Sequence, residues 1–189
     1  MPDAFTILWT QDTCRALREA GLTGQRPTVA YSGIHQSLPA WSGARPGDEV
    51  YALHVSRRVV YVVSRMRIVH VGQEDCCEAG DWWMLGAGGC GATTVHVEST
   101  PVRFDVPIPG DLLPTLTWRN RRGKTRGLKY VVDGLLEHSV GLQGFYRLTP
   151  ESADELGKLA PSDRPAGKTV GRGEAPPSNL HATVTESRR

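Results

Sequence analysis

The sequence has no long hydrophobic run. Of its 189 residues, 39% are hydrophobic and 22% are charged, which is the composition of a globular protein of one domain. No apolar stretch approaches the roughly 18 residues of a membrane span. Residues 1–9 have neither the positively charged start nor the long apolar segment of a signal peptide. We therefore expect no membrane partner and a cytoplasmic location.

The signatures of familiar enzymes are also missing. The 4 cysteines show no CxxC spacing, so free thiols are expected and zinc is not. There is no P-loop, no GxSxG and no HExxH. Residues 86–91 match GxGxxG, but the segment that follows is strand-like rather than helical, so no nucleotide site is predicted. No catalytic residue, metal or cofactor is therefore predicted. A catalytic group assembled by the fold stays open.

What the sequence does have is a dense basic segment, residues 119–129, in which 6 of 11 residues are Arg or Lys and none is acidic. Over residues 1–160, 17 Lys or Arg balance 17 Asp or Glu, and without the segment the ratio is 11 to 17. A positive patch on an acidic body indicates an anionic partner, most often a phosphate backbone. Trp118 and Tyr130 bound the segment, and aromatic rings beside guanidinium groups stack unpaired bases. The alternative is a solvated hairpin loop.

Hydrophobic patterning predicts a mixed α+β domain over residues 1–160. In the longest predicted strand, alternation places Val60, Val62, Ser64, Met66 and Ile68 on a core face, while Arg65 and Arg67 project outward or towards a partner. From residue 161 to residue 189 the chain is rich in Pro, Gly, Ser and charge, which predicts a disordered tail. The predicted helices are residues 10–21 and a helix that begins at Thr149, and residues 128–136 fit either a strand or a helix. The predicted strands are residues 4–9, 27–31, 49–55, 58–71, 92–97, 102–108 and 142–148.

This order of elements resembles the PUA-like superfamily, and its EVE and ASCH members are the nearest in pattern. The resemblance rests on Pro-Gly-Asp-Glu-Val-Tyr at residues 46–51, which is similar to the entry of the barrel hairpin. It rests also on Gly-Phe-Tyr-Arg-Leu at residues 144–148 followed by Thr-Pro-Glu, which is similar to a closing strand and helix. It covers roughly residues 5–160. It implies a small mixed β pseudo-barrel flanked by helices, which binds RNA or modified DNA and holds a modified base in an aromatic-lined pocket.

The chain departs from the family pattern in two ways. Residues 72–91 resemble an added loop, and the basic segment has no fixed counterpart in the family. The Lys-bearing ASCH motif is not recognisable, so an ASCH-type nuclease is not implied. The resemblance assigns Tyr31, Ser32 and Trp41 to the base pocket, and Trp118 joins them from the edge of the basic segment.

The residues and the resemblance together predict a non-catalytic nucleic-acid-binding domain, for RNA or DNA, that reads a modified or flipped base. One alternative is an enzyme acting on nucleic acid or a nucleotide within the barrel. Another is a small-molecule or protein-binding module that uses Trp82 and Trp83. The sequence does not indicate an oligomeric state. The predicted phosphate-contacting residues are Arg119, Arg121, Arg122, Lys124, Arg126, Lys129, Arg65 and Arg67.

Overall fold

A computed structural model describes residues 2–31, 43–72, 94–120 and 122–160. The added loop at 72–91 lies almost wholly outside these residues, and the predicted tail at 161–189 lies entirely outside them. In chain order the helices and strands are β1 (Ala4–Trp9), α1 (Gln11–Glu19), β2 (Val29–Tyr31), β3 (Glu49–Ser56), β4 (Val59–Gly72), β5 (Thr94–Ser99), β6 (Thr117–Arg119), β7 (Thr125–Gly127), β8 (Val131–Val132), β9 (Leu135–Leu136), β10 (Tyr146–Leu148) and α2 (Pro150–Leu159).

Eight of the strands form one mixed sheet in the order β2-β5-β4-β3-β1-β10-β6-β7, and β8 pairs with β9 in a separate hairpin. Strands β1 and β3 are parallel, and the other pairs in the sheet are antiparallel. The predicted α+β class, with a mixed sheet and flanking helices, is confirmed. The edge strands β2 and β7 do not pair with each other in the described part of the chain, so no closed barrel is formed there.

Each face of the sheet carries its own hydrophobic cluster. On β3, Val50 and Ala52 belong to the first cluster, whereas Tyr51 and Leu53 belong to the second. Successive side chains of a strand point to opposite faces, so the two clusters lie on opposite sides of the sheet. Helix α1 contributes to the first cluster and helix α2 to the second.

A β-bulge in β4 corrects the prediction of a single core face on that strand. The register shifts between Ala52 and Leu53, and the extra residue on β4 is Val63. An extra residue reverses the alternation beyond it. All five predicted residues are buried, as expected, but they do not share a face. Val60 and Val62 lie in the second cluster, whereas Met66 and Ile68 lie in the first.

A threonine caps the start of each helix, Thr10 before α1 and Thr149 before α2. The Thr10 hydroxyl accepts a hydrogen bond from the backbone N–H of Thr13 at 3.2 Å, and the Thr149 hydroxyl accepts one from the N–H of Ser152 at 3.4 Å. These bonds satisfy donors that a helix start leaves free. Pro150 occupies the first turn of α2, where its missing N–H costs nothing.

Three predicted segments differ in detail from the structure. Residues 102–108 form only an isolated bridge, between Tyr61 and Pro107. Residues 128–136 contain the hairpin β8–β9, whose turn is Asp133-Gly134 with positive φ at both positions. Residues 139–142 form a 3₁₀ turn and only Tyr146–Leu148 is a strand, because Gly144 with φ of 136° breaks the extended backbone between them.

Candidate nucleic-acid interface

The basic segment folds as a hairpin whose turn is fixed by one asparagine. Strands β6 and β7 pair from Thr117 opposite Gly127 to Arg119 opposite Thr125. Across the turn, the Asn120 side-chain oxygen accepts hydrogen bonds from the backbone N–H groups of Arg122 and Lys124, both at 2.9 Å. The Asn120 N–H also donates to the Lys124 carbonyl at 2.9 Å. This turn orders the backbone and leaves the cationic side chains in solvent.

Trp118 anchors the hairpin to the domain. Its side chain is 3% exposed and lies in the second cluster, and its indole N–H donates to the buried Thr6 hydroxyl at 2.9 Å. The neighbouring Thr117 N–H donates to the Ser152 hydroxyl of α2 at 2.9 Å. The structure places the Trp118 ring in the core with its donor satisfied, and its assignment to a base pocket stays a prediction.

The cations of the hairpin are exposed, and no ion pair involves them in the described ranges. Arg119, Arg122, Lys124 and Lys129 are exposed, and none of them forms an ion pair with a carboxylate there. The charge of Arg119 does reach Glu151, whose pKa is lowered first by hydrogen bonds at the start of α2 and also by Arg119. The Arg126 guanidinium lies 4.2 Å from the ring centroid of Tyr146, in cation–π geometry. Arg121 lies outside the described residues. These positive charges are therefore available to an anion.

Arg147, on β10, lies directly beside the hairpin, and the sequence did not predict it. Arg147 of β10 is the register partner of Arg119 on β6, so both side chains leave the same face of the sheet. Arg147 also forms an ion pair with Asp3 at 3.2 Å. Because Asp3 already offsets the charge of Arg147, this arginine adds less positive field beside Arg119 than an arginine without a carboxylate partner would. Nothing in the local sequence marks Arg147, which lies 18 residues beyond the basic segment.

The arginines of β4 have a different environment. Arg65 donates from Nε to Glu49 at 3.1 Å and also forms an ion pair with it, and Arg67 forms an ion pair with Glu98 on β5. These side chains line a shallow cleft of about 230 Å³. Strands β3, β1 and β10 separate β4 from β6 in the sheet. The structure therefore does not bring Arg65 and Arg67 together with the hairpin, and their charges are already neutralised.

The predicted base pocket is mostly outside the described part of the chain. Ser32 and Trp41 lie outside it, and Tyr31 is described only as the last residue of β2. Strand β2 is one edge of the sheet and β7, in the basic hairpin, is the other. The assignment of these three residues to a pocket stays a prediction.

The buried titratable groups have structural surroundings. His54 is 2% exposed, and its Nδ1 lies 3.4 Å from the Trp9 carbonyl oxygen. Burial lowers the pKa of His54 below its ordinary value, so the imidazole is held neutral within the core.

Residues 2–31, 43–72, 94–120 and 122–160 contain no group of three His, Cys, Asp or Glu side chains that could hold a metal ion. Within the same ranges, neither helix has the length and apolar character needed to cross a membrane.

No protein-family model matches this chain, and no curated protein matches it. Its fold is similar to solved structures, among them the YTH domain of the Zygosaccharomyces rouxii MRB1 protein in complex with N6-methyladenosine RNA. That match has a TM-score of 0.43 and 10% identity, and it covers 89% of this chain and 90% of that one.

Two mutant structures of an ASCH protein from Zymomonas mobilis are also similar. They have TM-scores of 0.39 and 0.40 and identities of 11% and 13%, and they cover 82% and 84% of this chain and 97% and 99% of theirs. Because all three TM-scores are below 0.5, no residue role or partner is carried over from these proteins.

Proposed function

We propose that this chain is a nucleic-acid-binding domain that contacts the phosphate backbone through hairpin β6–β7. The observation that supports the proposal is the group of exposed cations on a hydrogen-bonded turn, none of them in an ion pair within the described residues, with Arg147 as the register partner of Arg119. Because the backbone of the turn is already ordered, contact with a phosphate costs the conformational freedom of the side chains but not that of the turn. Phosphate contacts of this kind position a nucleic acid without reading its sequence.

The experiment is a titration of the full chain with fluorescein-labelled single-stranded RNA, single-stranded DNA and duplex DNA over a series of salt concentrations. We expect affinity to fall as salt rises, because each neutralised phosphate contributes a slope of roughly −0.7 to −0.9 in log K against log salt. Replacing four cations of the hairpin, R119Q/R121Q/R122Q/K124Q, should flatten the slope by roughly 2.8 to 3.6.

A matched control removes the same number of charges from paired positions. Each of the four cations replaced in R15Q/R67Q/R103Q/K158Q forms an ion pair with a carboxylate. This variant loses four positive charges, as the hairpin variant does, so the two variants have the same net charge. We expect its salt slope to stay near that of the unaltered chain. Equal losses in the two variants would mean that net charge alone attracts the polynucleotide, and an unaltered slope in the hairpin variant would end the proposal.

The finer part of the proposal is that the domain reads a modified or flipped base through Tyr31, Ser32 and Trp41. It is supported by the sequence resemblance and by the position of Trp41 in a predicted loop, where a large aromatic is less easily explained by packing. Trp41→Ala should then reduce discrimination between modified and unmodified strands more than overall affinity, since one stacked base contributes about 1–3 kcal/mol. Loss of the folded circular dichroism spectrum would instead make Trp41 a core residue.

A further inference from the structure

The strained backbone positions of this protein are gathered at one corner. Within the described residues, the four non-glycine residues with positive φ are Arg57, Arg58, Tyr130 and Asp133. Arg57 and Arg58 form the turn between β3 and β4. Tyr130 directly precedes β8, and Asp133 lies in the turn of hairpin β8–β9. The Leu136 N–H donates to the Arg58 carbonyl at 2.8 Å, which joins the turn between β3 and β4 to strand β9.

The turn between β3 and β4 uses residues that the turn itself does not favour. Ser56 pairs with Val59, so Arg57 and Arg58 are the whole loop, with φ of 49° and 69°. Two-residue loops of this type prefer Asn-Gly or Asp-Gly, because both positions need positive φ. The adjacent hairpin has that ordinary solution, in Asp133-Gly134. Two arginines are therefore not explained by the turn, and strained residues of this kind concentrate at functional sites.

Tyr130 combines a strained backbone with an exposed side chain. Its φ is 62°, which is unusual for a bulky residue, and its side chain is 53% exposed. The exposed His138 ring meets it edge to face with a centroid distance of 5.4 Å. Its carbonyl accepts from the Glu137 N–H at 2.8 Å, so the backbone that carries the ring is fixed by the β8–β9 hairpin.

Basic residues lie near this aromatic pair in the chain, together with Glu137, the chain neighbour of His138. Lys129 is the chain neighbour of Tyr130, and β7 of the basic hairpin ends only a few residues before it. Arg58 forms an ion pair with Glu137, whereas Arg57 is exposed and has no carboxylate partner in the described part of the chain. An exposed ring beside unpaired cations is the arrangement that stacks an unpaired base and contacts its phosphate.

We propose that Tyr130, with His138 at its edge, is a stacking platform for an unpaired base of the bound strand, and that Arg57 contacts a neighbouring phosphate. This inference rests on the proposed function and names a binding residue beyond the basic hairpin. It also narrows the partner to single-stranded nucleic acid, because the ring reaches a base only where that base is unpaired.

The test uses the full chain and two labelled probes of equal length, a single-stranded oligonucleotide and an abasic deoxyribose–phosphate strand. Tyr130→Gly removes the ring at a position whose positive φ suits glycine, and its melting temperature, measured beside its binding, separates lost binding from a folding defect. We expect Y130G to bind the base-bearing strand about 5- to 150-fold more weakly and the abasic strand unchanged. Val132→Ala, which alters an exposed apolar residue of the same hairpin, should bind both strands normally.

The arginine part has its own variant. R57N/R58G supplies the residues that the turn prefers, so its melting temperature should rise while its affinity for both strands falls. Unchanged binding of R57N/R58G would overturn the role of Arg57, and unchanged binding of Y130G to the base-bearing strand would overturn the platform. Either result would leave salt-dependent binding by the unaltered chain intact. Failure of the unaltered chain to bind both probes would instead refute the proposed function.

Discussion

The arginines of β4 and the cations of hairpin β6–β7 carry the same charge but are held in different ways. Arg65 and Arg67 are fixed by carboxylates on neighbouring strands. In the hairpin, a neutral side chain, Asn120, orders the backbone at Arg122 and Lys124, and their side chains have no carboxylate partner in the described residues. A guanidinium with a carboxylate partner contributes little field beyond the pair. The number of cations in a segment therefore does not measure its attraction for an anion, and their partners decide it.

The first way to break this comparison is to remove what supports the hairpin. Trp118→Ala should lower the free energy of unfolding by about 3–5 kcal/mol, because it opens a cavity in the second cluster. It also leaves the buried Thr6 hydroxyl without its donor. The measurement is the midpoint of urea unfolding, with the slope of the transition unchanged.

Arg126→Gln is the matched control for Trp118→Ala. Arg126 is the register partner of Trp118 on β7 but is exposed, so its replacement should cost only the cation–π contact with Tyr146, about 0.5–1 kcal/mol. A W118A variant with normal stability and impaired base discrimination would support the assignment of Trp118 to the base pocket and contradict its role as an anchor.

The second prediction concerns Glu49 of β3, the carboxylate partner of Arg65 on β4. Tyr51 is buried, and its hydroxyl donates to Glu49 at 2.9 Å. Burial, together with the negative charge of Glu49, raises the pKa of Tyr51 above its usual range. Glu49→Gln should therefore cost about 1 kcal/mol, since Glu49 accepts charge-assisted bonds in partly buried surroundings.

The exposed pair gives the control for that measurement. Arg67 and Glu98 have side chains that are 59% and 64% exposed, so Glu98→Gln should leave the free energy of unfolding nearly unchanged, because water screens an exposed ion pair. Neither glutamine variant should gain much affinity for polynucleotide, because β4 is separated from the hairpin by three strands. A strong gain in E98Q would show that its carboxylate, and not distance, keeps Arg67 from the ligand.

The sequence predicted local features well and cross-strand features poorly, for one physical reason. Caps at Thr10 and Thr149 depend on residues three positions away, and alternation reports burial along one strand. The partners of Arg65 and Arg67 depend on strand register, as does the burial of Trp118 opposite exposed Arg126. The bulge at Val63 changes that register without a sequence signal. Arg147 comes beside the hairpin through the pairing of β10 with β6, which are far apart in the chain. The location of the hairpin was therefore predictable, but its anchor and its neighbour Arg147 were not.

The last and smallest effect tests whether the turn or the charge makes the hairpin different from β4. Asn120→Asp keeps an oxygen that can accept from the N–H groups of Arg122 and Lys124, so the free energy of unfolding should change by less than about 0.5 kcal/mol. The added carboxylate gives the cations the partner that they lack. The salt slope should therefore flatten by roughly 0.7 to 0.9, one phosphate contact.

Asn120→Ala reverses the two effects. It leaves both N–H groups without their acceptor and should lower stability by about 0.5–2 kcal/mol, as the loss of a capping side chain does, while the cations keep their charge and the salt slope stays near that of the unaltered chain. A large flattening in N120A with none in N120D would mean that turn geometry alone controls binding. The contrast between paired and unpaired cations would then be incidental.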